Sequence, residues 1–231
     1  MHKETTLEKA IAMIPDGASI MVGGFGSPGT PFTLIEELLR QGQKGLTLIK
    51  NDANEQGLGI SKLVEAGQVK KLITTHIGLN KKIIQLMNDG SLQVSFFPQG
   101  ILAEKIRTAG AGSFGFLTDI GLHSEITNAE DVIEWQCRTV KVESALYADF
   151  ALVHAHQADH FGNLVYRATA MNFCPLMAMA AEKTIAETPN LVTPGTLVPE
   201  TVHTPSAFLT AVVRIDADGT EYGLMEGRYE S

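Results

Sequence analysis

Short apolar runs alternate with amphipathic segments along most of this 231-residue chain. Most of the runs are apolar on both faces, as are strands buried inside a parallel sheet. The predicted strands are Ser19–Val22, Leu46–Ile49, Leu72–Thr74, Val94–Phe97, Phe150–His154 and Thr184–Ala186. This alternation predicts an α/β fold with a mainly parallel central sheet, flanked by helices and connected by right-handed crossovers.

The amphipathic segments carry recognisable helix ends. Thr5 and Glu8 have the spacing of a capping box, which predicts a first helix over Thr5–Ile14. Later helices are predicted over Phe32–Arg40, Ile60–Ala66 and Lys81–Asn88, because Gly42, Gly67 and Gly90 follow them and Asn80 precedes the last as its cap.

The segment Thr118–Ala145 is less regular and holds Trp135, the only tryptophan. We expect it to be a strand-rich excursion from the main alternation.

The chain has no internal repeat, low-complexity tract or linker. One domain over residues 1–231 is therefore the simplest division.

Charge and hydropathy narrow the possible classes of function. The chain has 18 basic and 26 acidic side chains, and no basic cluster larger than a pair. Nucleic acid is a poor candidate, because a phosphate backbone needs a concentrated positive face. No apolar run approaches the roughly 18 residues that a membrane span needs.

The start of the chain carries Glu4 and Glu8, where a signal peptide would be basic and then apolar. Cys137 and Cys174 form no C-x-x-C pair, which favours reduced thiols. We therefore expect a cytoplasmic protein.

Glycine or polar residues follow most of the predicted strands at their carboxyl ends. In a parallel sheet these ends meet at one edge, where ligands bind. The residues are Gly23-Gly24, Asn51-Asp52, His76, Gln99-Gly100 and His156.

The segment Gly24–Gly29 matches G-x-G-x-x-G, the spacing of a dinucleotide-binding loop. In such a fold the helix begins inside the motif, whereas here Pro31 follows it. Thr30 and Pro31 read as an N-cap and a first helical position, which leaves the glycines in a loop with N–H groups free for a ligand. NAD binding, with Asp52 on the ribose, and a tight turn needed only by the backbone remain alternatives.

A longer series of motifs carries a resemblance to a known family. In order along Asp16–Pro205 they are "DGASIMVGGFGSPGTP", "LIKNDA", "HIGLN", "PQGILAEKIRTAGAG", "FGNLVYRATAMNF" and "HTP". The series resembles the A (α) subunit of family I coenzyme A transferases that act on acetate, butyrate or a 3-oxoacid such as acetoacetate.

The resemblance implies that coenzyme A moves between two carboxylates by a ping-pong mechanism, through an acyl anhydride and a glutamyl-coenzyme A thioester carried by the B subunit. It further implies a heterotetramer of two A and two B subunits, with coenzyme A as a substrate and no separate cofactor. Glu104 and Glu226 do not lie in the family's nucleophile context, so we expect no nucleophile in this chain.

The resemblance also assigns site residues. Gln99 would position the substrate or stabilise an oxyanion, with plain capping as the alternative, and Asn51 and Asp52 would bind substrate. The coenzyme A loop would comprise Gly23, Gly24, Phe25, Gly26, Ser27, Pro28 and Gly29. A non-catalytic sensor of sugar phosphates or nucleotides is the rival class.

Other features have open interpretations. His154, His156 and His160 could share a strand face as metal ligands, or make ordinary polar contacts. Ala109–Gly115 could be a second phosphate loop, a lid or a subunit contact. Cys174 precedes Pro175 and is expected at a helix N-cap, and Asp218-Gly219 suggests a turn.

Overall fold

The computed structural model describes residues 2–124 and 131–216. Its strands are β1 (Ser19–Val22), β2 (Leu46–Ile49), β3 (Val69–Thr74), β4 (Gln93–Phe96), β5 (Gly115–Thr118), β6 (Val132–Trp135), β7 (Arg138–Ser144), β8 (Ala148–His154), β9 (Gln157–Asp159), β10 (Leu164–Val165), β11 (Ala181–Thr188), β12 (Asn190–Val192) and β13 (Ala211–Arg214). Its α-helices are α1 (Leu7–Ile11), α2 (Phe32–Gln41), α3 (Ile60–Glu65), α4 (Lys81–Asn88), α5 (Gln99–Gly110) and α6 (Cys174–Ala180). Glu226 and the turn predicted at Asp218-Gly219 lie outside the described residues.

A seven-stranded sheet has the order β13-β11-β8-β1-β2-β3-β4, and all its strand pairs are parallel. The strand order reverses beside β1, because the chain first builds outward to β4 and then returns to add β8 on the other side. All six predicted strands belong to this sheet, so the predicted α/β class is confirmed. Strand β13 was not predicted. Its apolar run, AVVR, is short and lies in the chain after the regular alternation of strands and helices has ended.

The irregular segment is rich in strands, as expected. Strands β5, β7 and β6 form a small antiparallel sheet, and β6 joins β7 through a tight turn at Gln136 and Cys137. Both turn residues have positive φ angles, of 49° and 60°. A second small sheet has the order β10-β9-β12.

Strand alternation sends side chains to both faces of the main sheet. Ile20, Val22 and Leu48 pack into a core with α1 to α4, whereas Met21 and Ile49 pack into a second core with α5 and α6. The sheet is thus covered on both faces, which explains why its strands are apolar throughout. None of the described helices has the length and apolar content that crossing a bilayer requires.

The caps of two helices differ from the prediction. Thr6, not Thr5, caps α1 by accepting a hydrogen bond from the Lys9 N–H. Helix α2 begins at Phe32 with Pro31 in the cap position, and the Thr30 hydroxyl donates to the Gly26 carbonyl at 2.7 Å. The predicted cap at Asn80 is confirmed, since its side chain accepts from the Ile83 N–H at 3.0 Å.

The segment Ala109–Gly115 lies at the amino-terminal edge of the main sheet. The Tyr147 hydroxyl, directly before β8, donates to the Ser113 carbonyl at 2.9 Å, and Gly115 pairs with Ser144. The strand tips that were expected to bind ligand are at the opposite edge. The segment is therefore not part of the predicted site, and a second phosphate loop, a lid or a subunit contact at this other edge stays a prediction.

Cys174 is not an N-cap. It is the first residue of α6, has no exposed surface, and its sulfur lies 3.5 Å from the Gly29 carbonyl oxygen. Burial raises the pKa of the thiol to about 12. The expected helix cap is wrong, because the side chain fills space between α6 and the end of β1.

We predict that Gly23→Ala destabilises the protein by about 1–3 kcal/mol, since overpacking a filled site has this cost. The new Cβ would lie 2.7 Å from the Cys174 sulfur. In a Cys174→Ala background the same change should cost at least about 1 kcal/mol less, which a double-mutant cycle by urea unfolding measures.

Gly100→Ala is the matched control for this cycle. Its Cβ would meet nothing within 4 Å, and the residue lies in α5. It should therefore leave stability unchanged or raise it by about 0.5–1 kcal/mol. Additive costs for Gly23→Ala and Cys174→Ala would show that the sulfur does not limit the space at Gly23.

Candidate active site

A line of hydrogen bonds connects the predicted site residues at the carboxyl edge of the main sheet. The Gln99 side-chain amide donates to Asn51 Oδ1 at 2.8 Å, and Asn51 Nδ2 donates to Asp52 Oδ2 at 3.2 Å. The same Asp52 oxygen accepts from the Gly26 N–H at 2.7 Å. The structure therefore brings together the segments after β1, β2 and β4, as the sequence predicts.

The glycine loop is held by its own protein to a greater extent than expected. The Gly23 N–H donates to Leu152 O at 2.9 Å, and the Phe25 N–H donates to Pro28 O at 3.1 Å. With Gly26 donating to Asp52, these three groups are engaged within the protein. The expectation that the loop's N–H groups are free for a ligand is wrong for these residues.

Gly24 is required by the loop itself. Its φ is +106°, and a Cβ there would lie 2.3 Å from the Thr30 side-chain oxygen. Only glycine fits both conditions without a shift of the backbone. The backbone therefore requires glycine at position 24, independently of any ligand.

Lys50 lies directly behind this loop and was missed at the sequence level. Its side chain is fully buried, and Nζ lies 3.2 Å from Gly24 O, 3.4 Å from Gly26 O and 3.8 Å from Asp52 Oδ2. Burial lowers the pKa of the ammonium, while the charge of Asp52 raises it. A lysine that directly follows a buried strand was the available signal, because such a charge needs a partner.

Asp52 is predicted to bind substrate, yet it is only 7% exposed. Its pKa lies below the usual range: burial raises it, but Lys50 and the N–H groups of Gly26 and Asn54 outweigh that effect. The carboxylate stays ionised, and its oxygens are occupied by the protein. Asn51 is likewise fully buried, with both ends of its amide engaged.

Asn54 ties three segments together and was also missed. Its side chain donates to Gly26 O at 2.9 Å and accepts from the Ile60 N–H at 3.1 Å, and its carbonyl accepts from Asn80 at 3.3 Å. Its φ of 55° is rare for a residue other than glycine and is tolerated best by asparagine and aspartate. The segments after β1, β2 and β3 therefore form one rigid unit.

A cleft of about 220 Å³ opens between these three segments. Phe25 and Leu79 stand at its rim with 47% and 73% of their surface exposed. The remaining lining residues are Gly26, Ser27, Asp52, Ala53, Asn54, Glu55, Leu58, His76 and Ile77. The cleft thus includes part of the predicted coenzyme A loop.

His154, His156 and His160, the possible metal ligands, face different partners. His154 Nδ1 lies 2.9 Å from Glu187 Oε1, and the other oxygen of this fully buried carboxylate accepts from the Leu34 N–H in the first turn of α2. His160 Nδ1 lies 2.9 Å from Glu4 Oε2. Burial lowers the pKa of His156, and the nearby Arg167 adds to this effect. Within residues 2–124 and 131–216, no group of side chains is arranged to hold a metal.

The geometry also disfavours NAD. Helix α2 begins at Phe32, after the glycine motif has ended, and not inside it. Asp52, which a ribose would need, is engaged by Gly26 and Asn54. Both features argue against a dinucleotide-binding loop.

Comparison with known proteins gives a family match. Residues 4–214 match the family model described as coenzyme A transferase. A probable coenzyme A transferase subunit alpha of Bacillus subtilis (strain 168) is 44% identical, over 92% of this chain and 93% of the relative. The acetate CoA-transferase subunit alpha of Escherichia coli (strain K12) is 41% identical, over 91% of this chain and 96% of the relative.

Among solved structures, the acyl-CoA transferase apoenzyme of Escherichia coli O157:H7 superposes with a TM-score of 0.81 at 23% identity. The superposition covers 93% of this chain and 47% of that chain, so this chain spans about half the length of that structure. At this identity the likeness shows the fold.

We predict that Lys50→Met destabilises the protein by about 3–5 kcal/mol near pH 7.5, because it leaves a buried carboxylate without its counter-charge. In the wild type the pKa of Asp52 is lower in the folded than in the unfolded protein. The ionised carboxylate therefore stabilises the fold above the pKa of the unfolded state, and this stabilisation is lost as the pH falls through the pKa of the folded state. In the variant burial dominates, the pKa rises above the unfolded value, and protonation relieves the cost.

The difference in the free energy of unfolding between wild type and Lys50→Met should therefore become smaller as the pH is lowered from about 7.5 to about 4.5. Urea unfolding at the two pH values measures it. Lys70→Met, on an exposed side chain of β3, should cost little at either pH. A deficit that stays constant with pH would mean that Asp52 is not the group left unpaired.

Proposed function

Because the chain belongs to the coenzyme A transferase family, we propose that it is the A subunit of a short-chain acyl-CoA:carboxylate coenzyme A transferase. Its proposed acids are acetate, butyrate or a 3-oxoacid such as acetoacetate. The 41% identity to the acetate CoA-transferase subunit alpha supports acetate within this range. Coenzyme A enters as a substrate, and the proposal includes no resident cofactor.

The observation that carries the proposal is the position of the Gln99 amide. One of its two N–H groups is held by Asn51 Oδ1 at 2.8 Å, and Gln99 is exposed at the start of α5. An amide nitrogen has a second N–H, which is left to donate to a negative oxygen. A donor fixed before the reaction stabilises charge that develops in the transition state.

Asn51 and Asp52 support the site from beneath. We propose that Asn51 orients Gln99 and that Asp52 orients the Gly26 peptide, so both act as positioning residues for the bound ester. The exposed part of the loop would then contact coenzyme A directly. In this proposal the exposed Phe25 and the partly exposed Gly26 make these contacts. The buried Ser27 lines the cleft beside them, and Gly23, Gly24, Pro28 and Gly29 shape the loop.

The covalent step is proposed to use a glutamate of a B subunit, within a complex of two A and two B subunits. That carboxylate attacks the acyl-CoA carbonyl, forming a mixed anhydride and releasing the coenzyme A thiolate. The thiolate then attacks the enzyme's side of the anhydride, giving the glutamyl thioester and the free acid. Glu104 is unsuited to this role, since it pairs with Arg107 at 2.5 Å on α5.

The rival function, a sensor of sugar phosphates or nucleotides, fits the cleft less well. Phosphate sites use Arg, Lys or a concentration of free N–H groups. Among the described residues that line the cleft, none is Arg or Lys. The N–H groups of Gly23, Phe25 and Gly26 are already engaged.

We predict that the isolated chain is inactive in acyl exchange and acquires no covalent coenzyme A from acetyl-CoA. Adding the cognate B subunit should restore exchange and place the thioester on that subunit alone, because covalent catalysis requires its nucleophile. Intact-mass measurement of both chains after acid quench tests this. An adduct on this chain would contradict the proposed division of roles.

We further predict that Gln99→Ala in the assembled complex lowers kcat by about 10² to 10³, as expected for the loss of one oxyanion donor. Gln85→Ala makes the same change at an exposed position in α4 and should leave kcat unchanged. A raised KM with unchanged kcat would show that Gln99 contributes uniform binding instead.

A further inference from the structure

The cleft beside the glycine loop has an uneven distribution of charge. Its two ionisable acids are Asp52 and Glu55, and its described lining contains no Lys or Arg. Lys50, buried behind the loop, balances the charge of Asp52. Glu55 is then the acid whose charge has no Lys or Arg to balance it among the residues that line the cleft. The side chains that face the cleft are otherwise apolar or uncharged, apart from His76.

The dimensions and position of the cleft indicate which part of an acyl-CoA it would hold. Its volume of about 220 Å³ is below the roughly 300–1,000 Å³ of pockets that enclose drug-sized ligands. It therefore suits a short acyl group better than a whole coenzyme A molecule. The cleft is linked to Gln99, the proposed oxyanion donor, through Asp52 and Asn51.

We propose that this cleft is the acyl subsite and that it selects acids without a second carboxylate. This inference rests on the proposed function. A monocarboxylate would place its alkyl end among the apolar side chains of Phe25, Leu58 and Leu79. A dicarboxylate would bring its second negative charge near Glu55, where like charges repel.

Butyrate and succinate test the proposal, because their carbon chains have the same length and differ at the far end. The experiment uses the assembled complex of this chain with its B subunit, with acetyl-CoA as donor, at about pH 8, where histidine side chains in general are mostly neutral. We expect kcat/KM for butyrate to exceed that for succinate by roughly 10- to 100-fold.

Glu55→Lys tests whether the charge of the cleft is the cause. Glu55 is exposed, so the change should not disturb the core, and it should move the butyrate-to-succinate ratio toward succinate by about 10-fold. Glu182→Lys is the matched control, because it makes the same charge change on an exposed side chain at the amino-terminal end of β11. It should leave the ratio unchanged.

The outcomes separate the two proposals. Exchange with butyrate and a ratio that responds only to Glu55→Lys supports the acyl subsite. Equal or better use of succinate, or a ratio that Glu55→Lys does not move, overturns the subsite while leaving the transferase function intact. Absence of exchange with every acid tested overturns the proposed function, and the subsite with it.

Discussion

A fully buried ammonium is stable only if nearby groups offset the loss of its hydration. For Lys50 these groups belong to the residues that shape the candidate site. Its counter-charge is Asp52, and the carbonyls of Gly24 and Gly26 complete its surroundings. The nearby Cys174 stays a neutral thiol, because burial raises its pKa to about 12. Because Lys50 directly follows β2 and contacts the carbonyls of Gly24 and Gly26, its buried charge holds the loop after β1 against the segment after β2.

The same network explains why the predicted site residues differ in exposure. Asn51 and Asp52 have little or no exposed surface, whereas Gln99 and Phe25 face solvent. The buried pair can affect a ligand only by orienting the exposed groups, since its own polar atoms are engaged. A buried residue such as Asn51 that holds an exposed donor such as Gln99 in place is the arrangement that preorganised catalysis requires.

The periodic parts of the fold were predictable, and the long-range contacts were not. Apolar runs located six strands of the sheet, and the Asn80 cap followed from local chemistry. Local rules failed at Thr30 and Cys174, because tertiary partners determine what these side chains do. Lys50 was missed for the same reason: its partners, apart from Asp52, lie more than twenty positions away in the sequence.

The exposure of the candidate site has a further consequence for the proposed catalysis. Acyl transfer through an anhydride needs a water-poor site, since water would hydrolyse the activated acyl group. Yet Leu79 is 73% exposed and Phe25 47% exposed, at the rim of the cleft. Exposed apolar side chains at the rim of a cleft, such as Phe25 and Leu79, form a surface that a second protein could cover. In the proposed complex, the subunit that brings the nucleophile would therefore also exclude the water, and catalysis would begin only on assembly.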